Sequence, residues 1–152
     1  AELTYNVLLR ACGKGGMWKK AVTLLQKMED QDGIRPGGGA YSSVINVCAV
    51  AWEWKRAAVI FEGMLEQGVR PGAEAYAGAI LAYQRGGEAE RALEVFEEAR
   101  AQNALSAQSI SVAMYVYAES GQWRRSLDVF EDLRGFSGRD AEEDSRLYNT
   151  AI

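Results

Sequence analysis

Residues 41–71 read YSSVINVCAVAWEWKRAAVIFEGMLEQGVRP, and this stretch decides the fold. Its first half has apolar side chains at i, i+3, i+4 and i+7, which share one face of an α-helix. They are Tyr41, Val44, Ile45 and Cys48, and the second half repeats the spacing with Ala57, Ile60, Phe61 and Met64. Gly68 stops the second helix, and Pro71 forces an extended connection after it. The stretch therefore predicts two amphipathic helices that pack antiparallel across a short turn.

This hairpin pattern returns along the whole chain with a nearly constant period. Successive units begin at Tyr5, Tyr41, Tyr76, Ile110 and Tyr148, at spacings of 36, 35, 34 and 38 residues. A fixed period of about 20–50 residues is the signature of a solenoid, which works by presenting an extended surface. Because no segment shows sustained period-2 alternation, we expect no sheet. The sequence predicts an all-α solenoid of antiparallel helix hairpins with eight helices.

The predicted units have defined limits. They span residues 2–37, 38–72, 73–106 and 107–144, and residues 145–152 begin a fifth unit. The fourth unit ends in a longer loop at residues 135–144, which is rich in Gly, Asp and Glu. We expect one continuous solenoid, which forms a segment of a larger protein.

Glycine marks the turn between the two helices in three of the four units. Gly15-Gly16, Gly86-Gly87 and Ser120-Gly121 stand where the first helix must end, as expected for a residue with positive φ. The second unit has Ala51-Trp52 there, so its turn is distorted or Trp52 packs outward. Three other positions share an aromatic residue at the start of the second helix, namely Trp18, Trp54 and Trp123. For these three indoles we favour packing between helices over base stacking.

Composition limits the function classes. The net charge of −4 weakly opposes a nucleic-acid role, because binders of nucleic acid usually present a basic surface. The longest nearly apolar stretch, residues 44–52, is far shorter than the about 20 residues of a membrane span, so no transmembrane segment is predicted.

No constellation of residues points to catalysis. The chain has no His for general-base or nucleophile activation. Cys12 and Cys48 lie at the same place in two consecutive apolar stripes, and we expect them to be buried, reduced core residues. Two cysteines without His cannot form the usual four-ligand zinc site. We therefore predict a protein that is not an enzyme and needs no cofactor and no metal.

The period, the helix-start Tyr and the Gly-Val-Arg-Pro ending together resemble the pentatricopeptide repeat family. The segments most typical of it are TYNVLL at 4–9, AVTLLQKM at 21–28 and AAVIFEGM at 57–64. Tetratricopeptide repeats have a similar period but need a small Gly within the first helix. At that place this chain has Leu9, Ile45, Ile80 and Met114, which argues against them.

The resemblance implies a right-handed superhelix whose first helices line a concave groove. Members typically bind single-stranded RNA at about one nucleotide per repeat, and two residues per unit select the base. Carried onto this sequence, the base-selecting pairs are Asn6 with Gly37, Ser42 with Gly72, Ala77 with Ser106, and Ser111 with Asp144. Only Ser111 with Asp144 matches a well-behaved pair of the family, one that favours guanine. Gly37, Gly72 and Ala77 offer no polar side-chain contact to a base.

A basic residue near the end of the first helix faces the RNA phosphate in the family. Lys14 and Arg85 fit this pattern, whereas Val50 and Glu119 do not. Charges on the first helices cancel, with Arg10, Lys14 and Arg85 against Glu2, Glu74 and Glu119.

Two functions are compatible with this sequence. The first, which family membership favours, is a non-catalytic single-stranded RNA-binding segment of an organellar protein. The alternative is a structural or adaptor subunit of an organellar multiprotein complex, which the neutral groove and the degenerate base-selecting pairs favour. The resemblance implies a chloroplast or mitochondrial location in both cases, with RNA or proteins of an organellar assembly as partners.

Overall fold

The computed structural model describes residues 2–134, with side chains from residue 3 to residue 131. Eight helices form in this range: α1 (Glu2–Gly15), α2 (Trp18–Asp30), α3 (Gly38–Val50), α4 (Trp54–Glu66), α5 (Ala73–Arg85), α6 (Ala89–Ala101), α7 (Ala107–Glu119) and α8 (Trp123–Arg134). No residue from 2 to 134 belongs to a strand. The prediction of an all-α solenoid of helix hairpins is confirmed. The unit limits stay a prediction, and the loop at 135–144 and the fifth unit lie outside the described residues.

The odd-numbered first helices form one layer, and the even-numbered second helices form another. Helix α1 packs against α3, α3 against α5, and α5 against α7. Each of α2, α4 and α6 packs against the first helix of its own unit and that of the next unit. Between residues 2 and 134, the backbones of neighbouring second helices lie farther apart than those of neighbouring first helices. Because the first helices lie closer together, their layer is the concave side of the solenoid.

The close approach of the first helices depends on a small residue at one position. A Cβ atom added to Gly78 on α5 would lie 2.7 Å from Oδ1 of Asn46 and 2.9 Å from Cγ2 of Ile45 on α3. Any larger side chain would therefore push these two helices apart.

The core is built mainly from the apolar quartets that the sequence predicts, with small residues such as Ala40, Ala49 and Ala82 between them. In α3, α5 and α7, all four members of each quartet are buried, and the core runs without a break from α1 to α8. Leu8 on α1 is an exception, because its side chain is 44% exposed while the equivalent Val44, Ala79 and Ala113 are fully buried. The first helix of the first unit has no helix packed on its outer side within residues 2–134.

The turns within the units share one backbone conformation. Gly16, Gly87 and Gly121 have φ between 66° and 76°, and Trp52 takes the same left-handed conformation with φ of 64°. The turn of the second unit is therefore not distorted. Its indole points outward and is 64% exposed. A non-glycine residue in this region costs roughly 1–2 kcal/mol, so other contacts must hold Trp52 there.

Candidate functional site

An open cavity of about 710 Å³ runs along the concave side of the first helices. Its lining residues come from all four units: Leu9, Arg10, Gly13 and Lys14 from α1; Ser43, Asn46, Val47 and Val50 from α3; Ala73, Glu74 and Ala77 from α5; and Ser106, Ala107 and Gln108 at the start of α7. We call this cavity the groove. It is the continuous surface to which all four units contribute side chains, which makes it the candidate binding site.

The charged side chains of the groove are few and of mixed sign. Arg10 and Lys14 on α1 are exposed, and so is Glu74 on α5. Lys14 has no hydrogen-bond or ion-pair partner among residues 2–134. An exposed and unpartnered ammonium is available to an anionic ligand. The position of Lys14 is therefore compatible with the predicted contact to phosphate.

The helix-borne members of the four predicted base-selecting pairs differ in what they offer. Asn6 is half-buried, and its Oδ1 atom is buried without a hydrogen-bond partner. Ser42 is buried and donates a hydrogen bond of 2.7 Å to the carbonyl of Gly38 in its own helix. Ala77 is buried and lines the groove, and Ser111 is half-buried. Of these four residues, Asn6 therefore has a buried polar atom that the protein itself does not satisfy.

The partner positions of these pairs lie directly before the following first helices. Gly37 and Gly72 precede α3 and α5 with extended backbone, and Ser106 precedes α7. Ser106 caps α7, because its hydroxyl accepts a hydrogen bond from the amide of Ser109. Ser106 also lines the groove, and Asp144 lies outside the described residues. The base-selecting assignments stay predictions.

Arg85, the second predicted phosphate contact, is engaged inside the protein. Its Nη1 atom donates hydrogen bonds of 2.6 and 2.9 Å to the carbonyls of Ala49 and Val50 at the end of α3. Its guanidinium also lies over the indole of Trp52, with 4.2 Å between Cζ and the ring centroid. The last carbonyls of a helix lack intrahelical partners and carry partial negative charge, so a cation there is stabilising. Arg85 therefore ties the third unit to the second, and its phosphate role stays a prediction.

The structure adds Asn46 to the residues that shape the groove. Its Nδ2 atom donates to the carbonyl of Ser42 at 3.0 Å and to the carbonyl of Glu74 at 3.3 Å. This side chain thus joins α3 to the start of α5 while it lines the groove. The signal in the sequence is that Asn46 is the polar interruption of the apolar run 44–52.

On the side of the second helices, buried tyrosines pair with carboxylates of the preceding unit. Tyr83 donates a hydrogen bond of 3.0 Å to Glu62, which also accepts a hydrogen bond from Arg91. Tyr117 repeats the contact with Glu97 at 2.9 Å. The bond from Arg91 holds the pKa of Glu62 below its usual value, and burial raises the pKa of Tyr83. These contacts hold neighbouring units in register.

The buried thiols are poorly suited to nucleophilic chemistry. Cys12 and Cys48 are both free and buried. Burial raises the pKa of Cys48 to about 11, so its thiolate is scarce at neutral pH. Within residues 2–134, no group of three or more His, Cys, Asp or Glu side chains could hold a metal ion. None of the helices in that range is long and apolar enough to cross a membrane.

The fold and the groove define a class of protein, a helical-repeat solenoid that presents a concave surface built from its first helices. The chain belongs to the pentatricopeptide repeat family, since the family described as "Pentacotripeptide-repeat region of PRORP" matches residues 1–144.

Relatives in plants and animals have matching sequences. A pentatricopeptide repeat-containing protein of Arabidopsis thaliana is 35% identical over 66 residues, which is 43% of this chain and 12% of that protein. The human mitochondrial pentatricopeptide repeat-containing protein 1 is 38% identical over 58 residues, which is 38% of this chain and 8% of that protein. The chain therefore spans only a small part of the length of these relatives.

Solved structures share the fold at low sequence identity. The PPR domain of Arabidopsis thaliana protein-only RNase P 1, solved in complex with tRNA, superposes with a TM-score of 0.76 at 15% identity. That match covers 99% of this chain and 88% of the other. The protein PPR10, solved in complex with an 18-nt psaJ RNA element, superposes with a TM-score of 0.72 at 23% identity and covers 99% of this chain and 23% of that one.

Proposed function

We propose that this chain is a non-catalytic module that binds single-stranded RNA in the groove, as part of a larger organellar protein. The observation that carries the proposal is the groove itself, which is continuous across four units and lined by their first helices. Structures of two proteins with this fold contain tRNA and a short RNA element. The human relative is named as mitochondrial, which supports an organellar location.

Two side chains of the first unit support RNA as the ligand. The Oδ1 atom of Asn6 has no hydrogen-bond partner, which costs free energy, but it is buried and Asn6 is not among the residues that line the groove. A rotation of this side chain toward the groove would let it accept a hydrogen bond from a base edge. Lys14 offers an unpaired charge to the phosphate backbone from the wall of the groove. The two groups supply the two kinds of contact that base recognition and backbone binding need.

The affinity of the protein for a labelled single-stranded RNA tests the proposal. We expect the double variant Arg10→Glu/Lys14→Glu to weaken binding uniformly across sequences, and Asn6→Ala to change the base preference with a smaller loss. Lys27→Glu/Arg35→Glu is the matched control, because it makes the same change in net charge at two exposed cations outside the groove. Equal affinities of wild type and the Arg10/Lys14 variant would show that RNA does not occupy the groove.

A structural or adaptor role is the second candidate, and one observation favours it. Ser42 uses its hydroxyl within its own helix, and Gly37, Gly72 and Ala77 have no polar side chain to offer. A groove with so few groups for base recognition also accommodates a protein segment. Wild-type protein that shows no measurable affinity for single-stranded RNA at low salt would favour the adaptor role over the RNA-binding one.

A further inference from the structure

A second basic surface lies outside the groove, at the beginning of the second helices. Helix α2 starts with Trp18-Lys-Lys20, and α4 starts with Trp54-Lys-Arg56. Neither helix has an acidic residue in its first turn. We call these two tripeptides together the turn ridge.

Helix stability does not account for the charges of the turn ridge. The N-terminus of a helix carries partial positive charge, so cations in the first turn destabilise the helix, whereas acidic residues would stabilise it. Two consecutive helices nevertheless carry two cations each at this position, and α8 begins with Trp123-Arg-Arg125 in the same way. A repeated departure from favourable charge placement points to a ligand rather than to folding.

The cations of the turn ridge are free of carboxylate partners. Lys19, Lys20, Lys55 and Arg56 are exposed, and none of them forms an ion pair with residues 2–134. The equivalent position in the third unit is different, because Arg91 is paired with Glu62 and Glu94. Glu53 stands directly before α4 as its N-cap residue but forms no ion pair with these cations. The first two units therefore present four cations without an ion-pair partner, where the third presents none.

These charges form one surface that alternates with aromatic rings. The guanidinium of Arg56 lies 5.1 Å from the ring centroid of Trp18, which brings the starts of α2 and α4 together. Lys19 and Lys55 lie over Trp18 and Trp54 at 5.6 and 5.7 Å. The exposed indole of Trp52 stands two residues before Trp54.

The turn ridge also adjoins the groove. The turn of the second unit runs from Val50, which lines the groove, through Trp52 to the start of α4. The turn of the first unit likewise runs from Lys14 in the groove to the start of α2. An RNA strand that leaves the groove across these turns would therefore reach the turn ridge.

We propose that the turn ridge and the adjacent indole of Trp52 together form a second contact site for single-stranded RNA. The turn ridge binds the phosphodiester backbone beyond the groove, and a base stacks on the face of Trp52 that Arg85 does not cover. This proposal rests on the proposed RNA-binding function and adds a surface to it. Basic side chains that alternate with aromatic rings suit single-stranded RNA, because its phosphates bind cations and its exposed bases stack on aromatic rings. Neither contact depends on the base sequence, so the turn ridge increases affinity without adding specificity.

The salt dependence of RNA binding tests the ridge. The probe is an oligouridine of about 12 nucleotides, longer than four units cover at about one nucleotide per repeat. Each phosphate neutralised on a single strand contributes about 0.7 to the slope of log Kd against log salt, so Lys19→Gln/Lys55→Gln should lower that slope by about 1.4. If wild type and variant bind the oligouridine equally at about 1 M salt, wild type should then bind about 25-fold more tightly at about 0.1 M. The matched control, Lys27→Gln/Arg35→Gln, removes two exposed cations that belong to neither surface and should bind like wild type.

Two further measurements separate charge, stacking and folding. Trp52→Gly retains the left-handed turn and should weaken binding about fivefold or more with an unchanged salt slope, because stacking involves no counterion release. The Lys19/Lys55 variant should melt close to wild type, because the loss of two exposed cation–π contacts is offset by the removal of charges that oppose the helix N-termini. Loss of RNA affinity without loss of stability assigns the effect to the ligand.

The experiments distinguish a failure of this proposal from a failure of the proposal that RNA binds in the groove. An unchanged salt slope in the Lys19/Lys55 variant, with binding still weakened by Lys14→Gln, overturns the ridge and leaves RNA binding in the groove. Wild-type protein that does not bind the oligouridine overturns both. Unchanged RNA affinity together with lost binding to phosphatidylserine vesicles also overturns the proposal and assigns the ridge to a membrane surface.

Discussion

Arg85 and Trp52 form a stacked pair between the third and second units, with 4.2 Å between the guanidinium carbon and the indole centroid. The same guanidinium caps the end of α3 through the carbonyls of Ala49 and Val50. The pair stands at the turn where the chain has Trp in place of the usual Gly, so the contact compensates for an unfavourable backbone conformation.

Replacement of Arg85 by Gln should destabilise the fold. The variant leaves two carbonyls without their charged donor and removes the cation–π contact, which together cost about 2–3 kcal/mol. Urea unfolding followed by circular dichroism measures the loss. Lys14→Gln is the control, since Lys14 holds the equivalent place on α1 without a protein partner, and it should change stability by less than about 0.5 kcal/mol. Equal stabilities of the two variants would contradict a structural role for Arg85.

Substitutions of Trp52 separate backbone strain from stacking. Glycine relieves a conformational cost of roughly 1–2 kcal/mol and loses a cation–π contact of about 0.5–1 kcal/mol, so Trp52→Gly should be close to wild type in stability. Trp52→Ala keeps most of the strain and loses the same contact. It should therefore be less stable than Trp52→Gly by about 1 kcal/mol, as measured by thermal unfolding. The reverse order would show that the left-handed conformation carries no cost here.

Two glycines of the solenoid should respond to alanine in opposite ways. A Cβ atom on Gly86 would lie 2.3 Å from Cδ2 of Trp54, so Gly86→Ala forces the indole to move and should cost about 1–3 kcal/mol. Gly63 lies inside α4 with no atom within 4 Å of an added Cβ, so Gly63→Ala should stabilise by about 0.5–1 kcal/mol. Thermal melting of the two variants gives the comparison directly. A stabilised Gly86→Ala protein would mean that Trp54 can leave its position at the turn without penalty.

The fold could be predicted from the sequence because its signal is local and repeated. The quartet that begins at Tyr41 places its core face by spacing alone, and the same spacing recurs in the other units. The turn at Trp52 shows the limit of this approach. The pattern identified an anomaly there, but its resolution depends on Arg85, which lies 33 residues further along the chain.

The roles of the site residues were harder to predict from the sequence, because they too depend on contacts between residues far apart in the chain. Lys14 and Arg85 occupy equivalent positions and are both basic, yet Lys14 faces the groove without a partner and Arg85 caps a neighbouring helix. Their different roles depend on what the adjacent unit offers, since the first unit has no preceding helix within the described range to cap. Likewise, the orphaned oxygen of Asn6 is a property of packing and not of residue type.

The stability of the fold at acidic pH should depend on Glu62. Because Arg91 lowers the pKa of Glu62 in the folded state, the contribution of this carboxylate to stability is present above its unfolded pKa of about 4.3 and is lost as pH falls through the folded value. Glu62→Gln should therefore be less stable than wild type at neutral pH, and the difference should shrink in acid. Urea midpoints measured from neutral pH downward provide the comparison. A difference that stays constant through the acidic range would exclude a charged Glu62–Arg91 contact.

The stability of the fold at alkaline pH should depend on the buried tyrosines, and Tyr41 is the clearest case. Burial, reinforced by the carboxylate of Glu29, raises the pKa of Tyr41 to about 12, whereas a tyrosine in the unfolded chain titrates near 10. A group whose folded pKa is raised contributes stability that is complete below its unfolded pKa and is lost as pH rises through the folded value. The solenoid should accordingly lose stability between about pH 10 and about pH 12. Tyr41→Phe should flatten this decline although it gives up the 3.1 Å hydrogen bond to Glu29 at neutral pH. The chain has seven tyrosines, so the difference in tyrosinate absorbance between wild type and Tyr41→Phe, recorded together with circular dichroism, isolates Tyr41. Ionisation of Tyr41 below the pH of the unfolding transition would show that its hydroxyl is open to solvent.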